Sequence, residues 1–216
     1  MGLDGGGLDG GGLDLIVPVF FARGILNGGI DVDLKRPVEP EPGPGLKAGI
    51  GQVTTAEVAV CAPAILIADT QTSLQGTSIK WGGQDVSVHA SGAYTGETAA
   101  AMLTDFGCHF VIIGHSERRA YHAESDELVA KKFATARAAG LKPILCVGET
   151  LAEREQGVTE QVVARQLDAV IDLEGVQALQ DAVIAYEPVW AIGTGMTASP
   201  EQAQAVHSFI RQGVAS

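Results

Sequence analysis

Two titratable residues in this sequence each stand where an apolar run ends. Glu187 follows Val183, Ile184, Ala185 and Tyr186, four residues too few for a helix and apolar enough for a buried strand. Pro188 comes next and cannot extend a ladder, because it has no N–H to donate. His115 closes the run FVIIG at 110–114 in the same manner. A carboxylate that can take a proton and an imidazole that can donate a hydrogen bond are the usual partners of general acid–base chemistry. Taken singly, Glu187 also reads as a solvated strand-end carboxylate. Two strands that each end in such a group favour a shared pocket at one end of a parallel sheet.

The elements around Glu187 have the order of a lidded site. A stiff start (Pro188, Val189, Trp190) leads to a pliable tip at Gly193, Thr194 and Gly195. Ser199 and Gln202 then form a capping box with Pro200 in the first turn, so a helix begins there. From residue 55 onward strand and helix patterns alternate. Strands are expected at 57–61, 79–83, 110–113, 143–147 and 183–186, with a doubtful first one at 15–21, where Pro18 argues against a central position. A loose helical segment is expected at 63–74 and a helix at 98–106, stopped by Gly107. Another is capped by Ser125 and ended by Gly140, and further helices carry Val163, Leu167 and Val170, or Ala203, Val206 and Ile210, inward. Residues 84–97 form a long loop. Such alternation implies a parallel sheet with right-handed crossovers.

Composition narrows the function classes. The 216 residues are 46% hydrophobic and 19% charged, a globular balance long enough for one sizeable core. A net charge of −12 disfavours nucleic acid and anionic membrane as partners. An anionic substrate would need a local positive site made by loops or helix ends. No run nears the roughly 18 apolar residues of a membrane span. The apolar run 15–22 is preceded by Asp4, Asp9 and Asp14, the wrong charge for a secretion signal. Cys61, Cys108 and Cys146 lack CxxC spacing and read as reduced thiols of a cytoplasmic protein. His89, His109, His122 and His207 read as surface or packing residues, since none has the spacing of a metal ligand set. Residues 1–14 repeat Leu-Asp-Gly-Gly-Gly and read as a glycine-rich flexible tail; residues 15–216 read as one domain.

The stretches GHSERR (114–119), CVGET (146–150), AYEPVWAIGTG (185–195) and SGAYTGE (91–97) together resemble triosephosphate isomerase. The likeness covers roughly residues 55–216. It implies a (β/α)8 barrel, a homodimer, no cofactor, and interconversion of two triose phosphates. Matched residue by residue, Glu187 corresponds to the proton-transferring base and His115 to the group that polarises the carbonyl. Triosephosphate isomerase is itself the standard illustration of that pairing. Ser116 and Glu117 match groups beside the histidine, and Gly193 lies in the lid that grips the phosphate. Pro188, Val189 and Trp190 match one lid hinge; Met196, Thr197 and Ala198 match the other, with Met196 where the family commonly has lysine. Thr95 matches the finger that reaches the partner subunit.

Two departures shape the expectation. The family's phosphate-binding lysine aligns with Ile25, and the pattern stops after a sixth helix, so the barrel is expected to lack strands 7 and 8. Impaired turnover is therefore expected. The alternative is a catalytically inactive relic acting only in binding or as a structural protein, and a third possibility is another phosphate-handling (β/α) enzyme.

Overall fold

The computed structural model describes residues 14–16 (backbone only), 57–192 and 196–215. Short apolar runs become six parallel strands: β1 Asp14–Ile16, β2 Ala59–Ala62, β3 Lys80–Gly83, β4 Phe110–Ile113, β5 Lys142–Val147 and β6 Val183–Tyr186. They lie in the order β1-β6-β5-β4-β3-β2. The doubtful first strand occupies only Asp14–Ile16, at a sheet edge, and the rest of the expected span 15–21 lies outside the described residues, as does most of the expected tail. Strands β2 and β3 start one or two residues later than their patterns suggested.

Seven α-helices are described: α1 Ile67–Leu74, α2 Ala100–Asp105, α3 Ser116–Tyr121, α4 Asp126–Ala138, α5 Leu151–Glu155, α6 Thr159–Glu174 and α7 Pro200–Ala215. Single 3-10 turns precede α1 and follow β6. The loose segment at 63–74 is thus a 3-10 turn running into α1, which Pro63 opens. Helices α3 and α5 escaped the sequence reading because each is under two turns long and has no repeating apolar stripe.

Residues alternate along the strands between two cores. Val111, Ile113, Leu145, Val147, Ile184 and Tyr186 pack with side chains of the helices, among them Phe133, Leu167 and Ile210. Cys61, Phe110, Ile112, Ile144, Cys146, Val183 and Ala185 pack on one another, and that core holds residues of strands alone. A sheet whose second face is covered by its own strands has to curl around itself, which is barrel geometry. Every strand therefore points its C-terminal end to the same rim, and β5 stands between β4 and β6 there.

Candidate active site

At that rim Gly114, His115, Ser116, Cys146, Gly148, Glu187 and Val189 line one cavity of about 460 Å³. The structure thus brings His115 from the end of β4 and Glu187 from the end of β6 to the same pocket, one strand apart on either side of β5.

His115 is buried, at 8% exposure, and serves as the N-cap of α3. Gly114, at φ +71°, makes the turn that delivers it; a Cβ there would meet Val129 Cγ1 at 2.8 Å. The backbone N–H of Glu117 donates to His115 Nδ1 at 3.3 Å, which assigns the proton of the neutral ring to Nε2. Burial lowers the pKa of His115, and the Glu117 carboxylate, 3.8 Å from Nδ1, offsets this in part. The ring is therefore a neutral donor around pH 7.

Glu187 has the opposite shift. Its side chain is still open at the cavity mouth, yet the protein around it strips away part of its hydration and raises its pKa. The negative charge of Glu117 adds to the rise. Its backbone is tied to β5: the Glu187 N–H donates to Val147 O at 3.0 Å, and Val189 N–H donates to Glu149 O at 3.0 Å. Gly148 lies between these two contacts, and a Cβ on it would stand 2.0 Å from the Glu187 carbonyl oxygen. Only glycine allows the two strand ends to approach this closely.

The 3-10 turn that follows β6 is anchored by a residue the sequence reading did not single out as a site residue. Glu149, with no exposure, accepts hydrogen bonds from Tyr186 Oη at 3.0 Å, Trp190 Nε1 at 3.0 Å and Arg154 Nη1 at 3.1 Å. Arg154 also stacks on the Trp190 ring, 5.1 Å from its centroid. Pro188 and Trp190 are buried and Val189 faces the cavity, whereas Met196 and Thr197 are exposed and Ala198 half-buried. Gly193 lies outside the described residues. Beyond Ala198, Ser199 and Gln202 exchange the expected capping bonds, at 2.9 and 3.3 Å.

Ser116 is half-buried on the cavity wall and Glu117 is exposed beside it. Cys146 also lines the wall, but burial pushes its thiol up to about 12, so it stays protonated and inert as a nucleophile. Thr95 is far more exposed, at the tip of loop 84–97, where His89 and Tyr94 stack with centroids 3.6 Å apart. The loop's base is fixed through Asp85, which accepts from Lys132 Nζ at 2.6 Å and pairs with Arg118 at 2.9 Å. Among the described residues no group of three His, Cys, Asp or Glu is arranged to hold a metal. No described helix is long and apolar enough to cross a membrane.

A curled parallel sheet with an imidazole and a carboxylate on one rim defines a (β/α)-barrel site for acid–base chemistry. Residues 45–216 match the family model described as triosephosphate isomerase. The chain is 67% identical over 155 residues to the triosephosphate isomerase of Thiobacillus denitrificans, covering 72% of this chain and 62% of that protein. It is 59% identical over 168 residues to that of Nitrosomonas eutropha (78% and 67% covered) and 60% over 170 residues to that of Nitrosococcus oceani (79% and 66% covered). The chain belongs to the triosephosphate isomerase family, and its matched part spans about two thirds of the length of these relatives.

Proposed function

We propose that the chain interconverts dihydroxyacetone phosphate and D-glyceraldehyde 3-phosphate, an isomerisation of glycolysis and gluconeogenesis. One observation supports this most: in a chain of this family, a neutral buried imidazole and a carboxylate of raised pKa line a single rim cavity. In this reading Glu187 removes a proton from one carbon and returns it to the neighbouring one. His115 donates from Nε2 to the carbonyl oxygen, so charge developing there in the enediolate meets a fixed donor. Ser116 and Glu117 hold the imidazole in place.

The segment between the two hinges closes over the substrate, with Gly193 at the phosphate. Closure keeps water from the enediolate, which would otherwise lose its phosphate. Among the described residues lining the cavity, the cations are Arg119 and Arg165, and both are already bound to Asp126, at 2.5 and 2.9 Å. The two guanidiniums share one carboxylate, and the buried Arg119 Nη2 has no hydrogen-bond partner among the described residues. Impaired turnover is inferred from the sequence, where Ile25 stands at the position matching the family's phosphate-binding lysine: forgoing one buried charge partner costs about 2–5 kcal/mol, or roughly 1.5 to 4 decades in rate.

The partner reading is a cytoplasmic homodimer in which Thr95 reaches the second subunit. Exposed Ile65, Tyr94 and Tyr121 support it, since they follow the C-terminal ends of adjacent strands β2, β3 and β4. The activity is tested by comparing purified chain with Glu187→Gln in a triose phosphate interconversion assay. A rate at least about a hundredfold higher for the unmodified chain is expected; equal rates would overturn the assignment.

A further inference from the structure

Gln166 lies on α6, outside the set of acid–base groups, yet it is buried to 4% exposure at the back of the cavity. A primary amide is costly to bury unless its polar atoms find partners. Here both atoms find them on one residue: Gly148 N–H donates to Gln166 Oε1 at 2.9 Å, and Gln166 Nε2 donates to Gly148 O at 3.1 Å. The carboxamide pairs with Gly148 as the peptide of a neighbouring strand would. Gly148 is in turn the residue whose Cα abuts the Glu187 carbonyl, and its neighbours Val147 and Glu149 accept from the Glu187 and Val189 amides. A shift of the Gly148 peptide therefore moves the backbone that carries the base.

We propose that Gln166 is a positioning residue: by clamping both polar groups of Gly148 it fixes the end of β5 and, through it, the placement of Glu187. This rests on the reading of Glu187 as the base. A misplacement of the reacting groups by about 1 Å is enough to cost about a hundredfold in rate, so a helix residue that never touches substrate can govern kcat.

The test uses the full chain with Gln166→Met, which keeps the shape and removes both hydrogen bonds, and Gln166→Glu, which keeps an acceptor for the Gly148 N–H. In Gln166→Met, amide hydrogen exchange at Gly148 should rise and kcat should fall about tenfold to a hundredfold, with KM within about threefold. Gln166→Glu should fall between it and the unmodified chain on both readouts, and it serves alone if the methionine variant does not fold. A merely structural role would lower stability and leave kcat per folded molecule unchanged, which overturns the proposal. If the unmodified chain shows neither turnover nor deuterium uptake that depends on Glu187, the reading of Glu187 fails. The positioning claim is then judged by the Glu187 carboxyl titration followed by NMR, expected to shift in Gln166→Met; an unchanged titration overturns it.

Discussion

Glu187 and Glu117 are both carboxylates at the rim, but their surroundings differ. Loss of hydration raises the pKa of Glu187, and Glu117 adds to the rise by repulsion, whereas Glu117 itself stands in solvent. A base works only when ionised, so the rate should fall as pH drops through a value above the ordinary carboxylate range of about 4.3. Glu117→Gln removes the second cause of the rise. It should move that acid limb to lower pH, as read from the pH profile of kcat/KM, because Glu187 then ionises earlier. His115 does not blur the result: the substitution removes a charge that favours imidazolium, so the ring stays neutral over a wider range. An acid limb that stays in place, or moves to higher pH, would contradict the electrostatic account of this pair.

At the scale of elements, the ends of β5 and β6 form one unit. Gly148→Ala places a Cβ 2.0 Å from the Glu187 carbonyl oxygen, and backbone on that side cannot yield as a flexible side chain would. The strand ends should separate, with a stability loss of about 1–3 kcal/mol and a larger loss of activity. Gly213→Ala is the control: it lies within α7 with nothing near its Cβ and should gain up to about 1 kcal/mol. Denaturant unfolding of the two variants checks both signs. This unit was only partly legible in the sequence. The strand ends at His115 and Glu187 could be read because an apolar run followed by a titratable residue is a local pattern. Glu149 and Gln166 could not. Glu149 reads as one more polar residue beside a glycine, and its partners Tyr186 and Trp190 lie 37 and 41 positions away. Gln166 reads as part of a helix's polar face until its contact with Gly148, 18 positions back, is seen. Short α3 and α5 were likewise hidden, whereas the capping box at Ser199 is local and carries its own signature.

For the whole molecule, the curled sheet gathers every strand end at one rim and leaves apolar side chains exposed near it. Ile65, in the turn after β2, is 88% exposed and Tyr121, at the end of α3, is 80% exposed, values a monomer seldom leaves uncovered at one rim. The proposed homodimer predicts a sedimentation mass of two chains at micromolar concentration, reduced to one chain by Tyr121→Asp. A well-folded monomer at high micromolar concentration would contradict it. The central claim, that Glu187 shuttles a proton between adjacent carbons, can be tested apart from turnover. Dihydroxyacetone phosphate incubated with the chain in heavy water should take up deuterium at the carbon that Glu187 deprotonates, as followed by proton NMR. The account predicts exchange at least about a hundredfold faster than with Glu187→Gln, whose rate should match buffer alone. Exchange at the same rate with the unmodified chain and with Glu187→Gln would contradict it.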